Sequence, residues 1–253
     1  TLKQRGFDVV VFDKRDEIGG NLHVAKKPPF KGKFEWAIDY YKSMAKKLNI
    51  TMKLGKEVTA QEVLALKPHS ILVATGSNVI SIPLEGLDQV QTVQAHDVLA
   101  NDMQFANKKV VVIGGGITGL ETALYINRQG TNQVSVVDML PEWPVDMLDM
   151  RYQNEALLEV RHCNDQGVAL FYNNKVVKFA DGKLFIESTK DGEVKELPAD
   201  VIVLSVGVKP NDALWQELLA SGHPSVWKAG DAIATGKINK AVLHGSKFGY
   251  SLN

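Results

Sequence analysis

The fold is decided by the stretch VVVIGGGITGLE, residues 110–121, whose glycines follow the order GxGxxG. In this pattern Gly114 permits a tight turn, Gly116 lets the backbone approach a pyrophosphate, and Gly119 lets a helix pack closely on a strand. An apolar run precedes the glycines, and a helical pattern follows them to about Arg128. The stretch therefore predicts a strand, a phosphate-binding turn and a helix whose N-terminus faces a dinucleotide. A glycine-rich turn without a ligand is the alternative.

The residue that ends the next strand favours the dinucleotide. Asp138 comes 19 residues after Gly119, near the spacing of about 20 at which an acidic residue accepts hydrogen bonds from an adenosine ribose. A carboxylate there repels a 2′-phosphate, and the Met-Leu-Pro that follows provides no arginine to bind one. We therefore expect NADH rather than NADPH, with an exposed strand-end aspartate as the alternative. The expected contacts are Gly114, Gly115, Gly116, Ile117, Thr118, Gly119 and Asp138.

Composition excludes several classes of function. The 253 residues include 29 basic and 29 acidic side chains, so the formal net charge is zero. This balance argues against nucleic acid or an anionic membrane as the main ligand, because such affinity is built from neutralised phosphates. No apolar run approaches the roughly 20 residues that cross a bilayer, and the N-terminus has no signal-peptide pattern. We expect a cytoplasmic protein.

The single cysteine, Cys163, limits the redox chemistry of the chain. One cysteine excludes an internal disulfide, a CxxC pair and an iron–sulfur site built from this chain alone. A disulfide reductase needs a pair of cysteines, so this class is excluded as well.

The rest of the chain predicts an α/β fold with a repeated plan. Asp-Gly pairs at 181–182 and 191–192 predict the hairpins of a small antiparallel meander. An apolar strand with an acidic end, cross-strands and a strand ending in glycine occur in this order twice, at 9–76 and at 134–207. This echo predicts two nucleotide-binding folds. The other predicted strands are 7–12, 50–54, 71–77, 109–113, 201–206 and 226–229, and the predicted helices are 34–48, 117–128, 149–161 and 239–252.

Two further acidic residues are ambiguous on pattern alone. Asp13 ends the first strand and is followed by Gly19 and Gly20. It is either a second ribose acceptor or a surface aspartate before a turn. Asp231 follows Gly230 near the start of a helix, where an aspartate is more typical of a cap than of a ligand.

Taken in order, these motifs resemble those of the flavoprotein oxidoreductases with two dinucleotide-binding domains. The chain is most similar to the C-terminal region of the NADH:flavin oxidoreductases related to 2,4-dienoyl-CoA reductase, 2-enoate reductase and trimethylamine dehydrogenase. The resemblance covers nearly the whole chain. The motifs are the acidic strand end with IGG at 13–20, ATG at 74–76, GGGITGLE at 114–121, DMLPEWPVDM at 138–147, VGVKPN at 206–211 and AGDA at 229–232.

The resemblance implies a hydride relay from NADH to FAD, in which the cofactor performs the organic chemistry and the protein positions it. It implies that Glu121 and Gly207 line the NADH side. A buried charge paired with a lysine is the other interpretation of Glu121. The residues implied to contact FAD are Asp13, Gly19, Gly20, Thr75, Gly76, Gly230 and Asp231.

The resemblance also implies a domain plan. It assigns 1–77 and 205–253 to an FAD-type domain and 78–204 to an NADH domain inserted within it, each Rossmann-like with a small antiparallel meander. The family's first GxGxxG loop and its strand would precede Thr1, so we expect the FAD-type domain to lack them and to hold FAD less securely.

Members of this group also carry a barrel with FMN, an iron–sulfur cluster and an enoate-type substrate site. A redox partner domain or protein is therefore expected, and a homo-oligomer is compatible with the sequence. The alternative function is a catalytically silent module that binds NADH or an ADP-type ligand in a structural or regulatory role.

Overall fold

The computed structural model describes residues 1–141 and 150–252. Residues 142–147 of the DMLPEWPVDM motif, the expected helix start at Asp149 and the terminal Asn253 lie outside the described residues. The strands are β1 (Val10–Phe12), β2 (Thr51–Lys53), β3 (Ile71–Val73), β4 (Ser77–Val79), β5 (Gln91–Gln94), β6 (Lys109–Ile113), β7 (Gln133–Val137), β8 (Ala169–Phe171), β9 (Asn174–Ala180), β10 (Lys183–Ser188), β11 (Val194–Pro198), β12 (Val201–Leu204), β13 (Val208–Pro210) and β14 (Val226–Lys228). The helices are α1 (Leu22–Ala25), α2 (Phe34–Lys47), α3 (Ala60–Ala65), α4 (Ala95–Ala100), α5 (Ile117–Asn127), α6 (Met150–Asp165), α7 (Ala213–Ala220) and α8 (Ile238–Ser251).

The chain divides into two compact units. The first unit consists of Thr1–Leu22, Glu35–Ile80 and Val208–Asn253, and the second of His23–Phe34 and Ser81–Gly207. The expected boundaries placed residues 23–34 in the first domain, whereas this segment packs with the second unit. Side-chain contacts over long sequence separations hold it there, and a linear pattern carries no sign of them.

The second unit is built on a parallel sheet with the strand order β5-β12-β6-β7-β8. The predicted strand, glycine turn, helix and second strand are all present as β6, α5 and β7. Val110, Val112, Leu120 and Leu124 are each 1% exposed or less, as expected of a central strand covered on both faces and of the helix packed on it. The mixed α/β class with a parallel sheet is thus confirmed.

A three-stranded antiparallel meander, β9-β10-β11, completes the second unit. The hairpin between β9 and β10 turns at Asp181 and Gly182, which both have positive φ, 51° and 73°. Two successive positive φ angles are the signature of the tight turn that Asp-Gly predicts.

The first unit is less continuous. Its described strands form three separate pairs: β1-β2 and β3-β14 are parallel, and β4-β13 is antiparallel. A single antiparallel pair therefore stands where a meander was expected. The segment before α2 contains Gly19-Gly20 and Pro28-Pro29 and forms turns and α1 instead of strands, because paired glycines and prolines interrupt a strand ladder.

Helix α3 of the first unit begins with a capping box, in which the Thr59 side chain and Glu62 each bind the other's backbone N–H. The stretch between β3 and β6 contains β4, β5 and α4. Over the described ranges, no helix has the length and apolar character needed to cross a membrane.

Candidate functional site

The glycine loop lies at the carboxyl end of β6, between β7 and β12. The Gly114 N–H donates to the Val137 carbonyl at 2.8 Å, which ties the loop to the end of β7. Gly114 has φ +110°, and a Cβ there would lie 2.2 Å from the Ser205 carbonyl oxygen. Only glycine fits this position, because both the backbone conformation and the space exclude a side chain.

Helix α5 starts directly on this loop. A Cβ on Gly119 would lie 1.9 Å from the Gly114 carbonyl oxygen, so the third glycine lets the helix touch the turn that precedes it. Gly116 is the N-cap of α5 and supplies no side-chain cap. The first N–H groups of the helix, which include those of Ile117 and Thr118, are therefore available to an anion, and the helix dipole favours one there.

Asp138 stands against the same loop. Its Oδ2 accepts the Gly115 N–H at 2.6 Å, and its Oδ1 accepts the Leu140 N–H at 2.8 Å. The strand-end carboxylate and the glycine loop, which the sequence placed together only by spacing, thus form one site. This arrangement fits the adenosine ribose and pyrophosphate of a dinucleotide, since an acceptor carboxylate adjoins a set of backbone donors.

Gly207 follows the end of β12, whose neighbour in the sheet is β6. It has φ 99° and lies two residues beyond Ser205, whose carbonyl adjoins Gly114. The carboxyl ends of parallel strands meet at one edge, so Gly207 belongs to the same edge of the second unit as the loop.

Glu121 lies one turn into α5 and forms an ion pair with Lys31, 2.7 Å from Nζ to Oε1. Lys31 also contacts Glu155 of α6 at 2.5 Å. Burial raises the pKa of the Glu121 carboxyl, and the lysine offsets this only in part. Burial alone would lower the pKa of Lys31, but its hydrogen bonds to Glu121 and Glu155 outweigh it and raise that pKa to about 12.

The segment that carries Lys31 has two further attachments to the second unit. Lys27 pairs with Asp102 at 2.5 Å. Phe30 packs with its ring centroid 4.9 Å from that of His162 and 4.5 Å from the Arg128 guanidinium carbon. Sequence reasoning missed these partners, and the sequence contains no signal for them beyond the charges themselves.

A buried acid follows one turn further along α6. Glu159 is 4% exposed, and its Oε2 lies 3.8 Å from His162 Nδ1. Cys163, the next residue, is fully buried, and burial together with the charge of Glu159 raises its pKa to about 12. Reactive cysteines are exposed and have a lowered pKa, and the buried Cys163 thiol has neither property.

In the first unit, Asp13 and the glycine pair lie near each other. The Asp13 Oδ1 accepts the Arg15 N–H at 3.0 Å, and the Arg15 guanidinium donates to the Gly20 carbonyl at 3.1 Å. Gly19 and Gly20 both have positive φ, 125° and 51°. The carboxylate keeps acceptor capacity for a ribose hydroxyl, since an aspartate offers about four lone-pair sites.

The remaining expected FAD contacts lie together where β3 and β14 end side by side. Thr75 Oγ1 donates to the Asn211 carbonyl at 2.5 Å, and the Gly76 carbonyl accepts the Asn211 N–H at 3.0 Å. Asp231 accepts from the Ser77 hydroxyl at 3.3 Å and from the Gly236 N–H at 3.0 Å, so it joins the start of β4 to the loop before α8 rather than capping a helix.

The Gly230 N–H points at His244 Nδ1, 3.2 Å away. The structure thus brings Thr75, Gly76, Gly230 and Asp231 into one cluster. In the described part of the chain, no group of histidine, cysteine and acidic side chains is arranged to hold a metal ion.

A family model described as pyridine nucleotide-disulphide oxidoreductase matches residues 1–244. The chain belongs to this family. Members of the pyridine nucleotide-disulphide oxidoreductase family are flavoproteins with nucleotide-binding Rossmann-like domains. The present member has a single cysteine, which is buried, so the disulphide in the family's name has no counterpart within its sequence.

The curated proteins to which the chain is similar are much longer than the chain. The chain is 30% identical to an NADH oxidase of Thermoanaerobacter brockii, over 100% of the chain and 38% of the relative. It is 33% identical to a bilirubin reductase of Mediterraneibacter gnavus, over 82% of the chain and 31% of the relative. The chain therefore spans about a third of the length of these two enzymes.

Solved structures agree with the family assignment. A 2-naphthoyl-CoA reductase superposes with a TM-score of 0.89 at 27% identity and covers 100% of the chain, which spans 37% of that protein. A thioredoxin reductase of T. acidophilum has a TM-score of 0.70 at 18% identity, and the chain spans 91% of it. The second similarity shows that the fold also exists at about this size.

Proposed function

We propose that this chain is the NADH- and FAD-binding portion of a flavin-dependent oxidoreductase that passes a hydride from NADH to FAD. The observation that carries the proposal is the contact of the Asp138 carboxylate with the Gly115 N–H at 2.6 Å, which joins a ribose acceptor to a phosphate loop. The name of the relative NADH oxidase supports the donor, and the family supports the flavin.

The chemistry supplied by the bound cofactors is the transfer of a hydride from the nicotinamide of NADH to the flavin of FAD. The role of the second unit is to bind and orient the donor. The N–H groups of the loop and of the first turn of α5 hold the pyrophosphate, and Gly114, Gly116 and Gly119 keep side chains out of its way.

The choice of NADH over NADPH follows from charge. Asp138 accepts hydrogen bonds from the ribose hydroxyls of NADH, whereas a 2′-phosphate at the same place would meet its negative charge. Met139, Leu140 and Pro141 come next along the chain and provide no cation to neutralise the phosphate.

Glu121, on the helix that follows the loop, forms an ion pair with Lys31. Because Lys31 contacts two carboxylates, the ion pair fixes the side chains of both Lys31 and Glu121. In the proposal, Glu121 faces the nicotinamide region and Lys31 keeps it there. Gly207 leaves room at the same edge of the sheet.

In the first unit, Asp13 would accept the adenosine ribose of FAD, with Gly19 and Gly20 shaping the turn beside it. Asp231 would accept a hydroxyl of the ribityl chain, and Thr75, Gly76 and Gly230 would adjoin it. The residues present fit hydroxyl-bearing parts of FAD. The sequence contains no second GxGxxG loop for the FAD pyrophosphate.

Electrons would pass from the FAD to a partner domain or protein, because the single cysteine, Cys163, is buried and offers no accessible thiol to receive them. Two relatives that are about three times longer than the segment they share support a partner of this kind. We propose a barrel that holds FMN and an iron–sulfur cluster and reduces an enoate-type substrate. A cinnamate reductase of Clostridium sporogenes, 28% identical over 85% of the chain, is named for such a substrate. We also propose that the protein is located in the cytoplasm.

The test is anaerobic reduction of the reconstituted protein. Purified chain is incubated with FAD, free flavin is removed, and flavin absorbance is followed while NADH or NADPH is added without oxygen. We expect the flavin band to bleach with NADH and far more slowly with NADPH. Asp138→Asn is the matched variant and should lose the preference. A protein that retains no flavin and binds no NADH would overturn the proposal.

A colourless protein that still binds NADH would instead favour the silent binding module. The observation that favours this second candidate is the lack of a second glycine loop in the sequence. The two candidates therefore differ in flavin retention, not in NADH binding.

A further inference from the structure

We propose that Tyr172 is a positioning residue for coenzyme selectivity: its ring holds the Asp138 carboxylate against the glycine loop and thereby favours NADH over NADPH. This inference rests on the proposed function, because it requires that the dinucleotide bind at this loop. Tyr172 directly follows β8, the sheet neighbour of β7, which Asp138 follows.

The turn that contains Tyr172 is fastened to the turn that contains Asp138. The Asp138 N–H donates to the Phe171 carbonyl at 3.0 Å, and the Asp138 carbonyl accepts the Asn174 N–H at 2.9 Å. The Asn173 N–H donates to the Leu140 carbonyl at 2.9 Å. Three backbone hydrogen bonds therefore fix the two turns as one unit, so the side chains on them keep a constant relation.

The ring edge of Tyr172 lies at Gly115, the loop residue whose N–H the Asp138 carboxylate accepts. A Cβ built on Gly115 would be 2.9 Å from Tyr172 Cε1 and 3.1 Å from Asp138 Cβ. The edge of the Tyr172 ring and the Asp138 side chain thus both adjoin Gly115, the second residue of the glycine loop. The hydroxyl oxygen of Tyr172 is buried, so the far end of the ring is enclosed by protein.

This contact matters because of how the carboxylate is used. Asp138 accepts one backbone N–H at each oxygen, from Gly115 and from Leu140. A carboxylate has about four lone-pair sites, so two are left, which is the number that a ribose with free 2′ and 3′ hydroxyls requires. The carboxylate accepts hydrogen bonds from these hydroxyls and repels a 2′-phosphate only while it is held beside the loop. The ring edge beside Gly115 keeps the loop in place, and with it the Gly115 N–H that Asp138 accepts, so removal of the ring loosens this hold on the carboxylate.

The experiment measures equilibrium affinities, without turnover. The dissociation constants of NADH and NADPH are determined by titration calorimetry for the wild type, Tyr172→Ala and Tyr172→Phe. We expect Tyr172→Ala to weaken NADH about tenfold, the loss of one hydrogen bond to a charged group, with little change for NADPH. The ratio of the two affinities should fall by the same factor. Tyr172→Phe keeps the ring and should retain the wild-type ratio within about twofold.

Two further variants keep the test decisive. If Tyr172→Ala does not fold, Tyr172→Leu fills the space without the flat ring edge and should shift the ratio in the same direction. In an Asp138→Asn background, Tyr172→Ala should have no further effect on the ratio, because a residue that acts through Asp138 has nothing left to position.

The outcomes separate this inference from the proposed function. A wild type that binds neither coenzyme overturns both. A selective wild type whose Tyr172→Ala variant weakens NADH and NADPH equally overturns only the inference, because an equal loss is what a purely structural ring produces. The inference is supported if the ratio of the two affinities falls in Tyr172→Ala and is retained in Tyr172→Phe. It also requires that Tyr172→Ala no longer changes the ratio once Asp138 has been replaced.

Discussion

The two units of the chain are built for nucleotides by different means. The second has a continuous five-stranded parallel sheet, and a glycine loop and a carboxylate touch at its edge. The first has three separate strand pairs, and its acidic candidates, Asp13 and Asp231, are bonded to loop backbone and to Ser77. A phosphate-binding loop requires backbone segments to approach each other closely. A carboxylate, by contrast, can accept a hydrogen bond from a hydroxyl in many structural surroundings. The second unit therefore carries the stronger evidence for a coenzyme, and the first depends on the family.

The largest effect is expected from a methyl group placed in the glycine loop. In Gly119→Ala the new Cβ would lie 1.9 Å from the Gly114 carbonyl oxygen, so the helix must move off the loop. We expect a loss of about 3 kcal/mol in the free energy of unfolding and of most NADH affinity. Denaturant unfolding and NADH titration measure the two effects.

The matched control in the first unit is Gly20→Ala, where a Cβ meets open space but φ is +51°. Only the cost of the left-handed backbone remains, about 1 kcal/mol. NADH affinity should not change. Equal effects of the two variants on NADH would contradict the assignment of the coenzyme to the second unit.

The next effect concerns ion pairs. Lys31→Met removes a cation that two carboxylates share, Glu121 and Glu155, where the lysine side chain is 18% exposed. The stranded carboxylates should cost about 3 kcal/mol, at the low end for buried pairs because the site is partly open. Thermal unfolding detects the loss.

Lys42→Met breaks the exposed pair with Glu17 in the first unit, 2.6 Å long, and serves as the comparison. Water and salt screen such a pair, so the melting temperature should stay unchanged. A large effect of Lys42→Met, or none of Lys31→Met, would show that burial does not distinguish the two pairs.

The carboxylates at the two strand ends give a third comparison. Asp138→Asn should weaken NADH about tenfold and leave flavin retention unchanged, since hydrogen bonds to a charged acceptor are worth more than neutral ones. Asp13→Asn should do the reverse. Calorimetry with NADH and the flavin-to-protein absorbance ratio report the two affinities. If both variants affected only one ligand, the division of labour between the units would be wrong.

The smallest effect is a pH dependence with opposite signs in the two units. Burial and the nearby Glu155 raise the pKa of Glu159, an effect that His162 and Lys31 only partly offset. A raised pKa means that ionisation costs folding free energy, so stability is full below the ordinary value of about 4.3 and is lost as pH rises through the folded value. Glu159→Gln should therefore gain melting temperature relative to the wild type as pH rises above about 4.3.

In the first unit, the Lys56 ammonium and the Thr59 N–H lower the pKa of the exposed Glu62 carboxyl. The stability that it contributes is present above the ordinary value and fades as pH falls through the folded one. Wild type should thus lose its advantage over Glu62→Gln below about pH 4. The same trend in both variants would contradict the contrast between a buried and a paired acid.

Local pattern predicted most of the second unit and less of the first. The strand, loop and helix at β6 and α5 follow from glycine spacing and apolar periodicity, and the hairpin at Asp181 follows from turn chemistry, because each depends on residues close in sequence. The pair β4-β13 joins residues 77–79 to 208–210 and has no periodic signal of its own. Such pairings depend on the tertiary fold, so they could not be predicted from local sequence pattern.

The candidate site divides in the same way. Gly114 to Gly119 and Asp138 could be predicted, since the motif encodes their geometry. Lys31 is far from Glu121 in sequence, and Tyr172 stands in a stretch without a motif, so their contacts become visible only in the folded chain. The sequence left two interpretations of Glu121 open, one of which was an ion pair with a lysine, and the structure shows that pair.

Hydrogen–deuterium exchange with and without NADH tests most directly whether the second unit is the NADH-binding half. Binding should slow exchange of the amides at 114–121 and 138–140, which form the loop, the helix start and the ribose corner, and leave those at 13–20 and 229–232 unchanged. Protection confined to the first unit, or no protection at saturating NADH, would contradict the assignment.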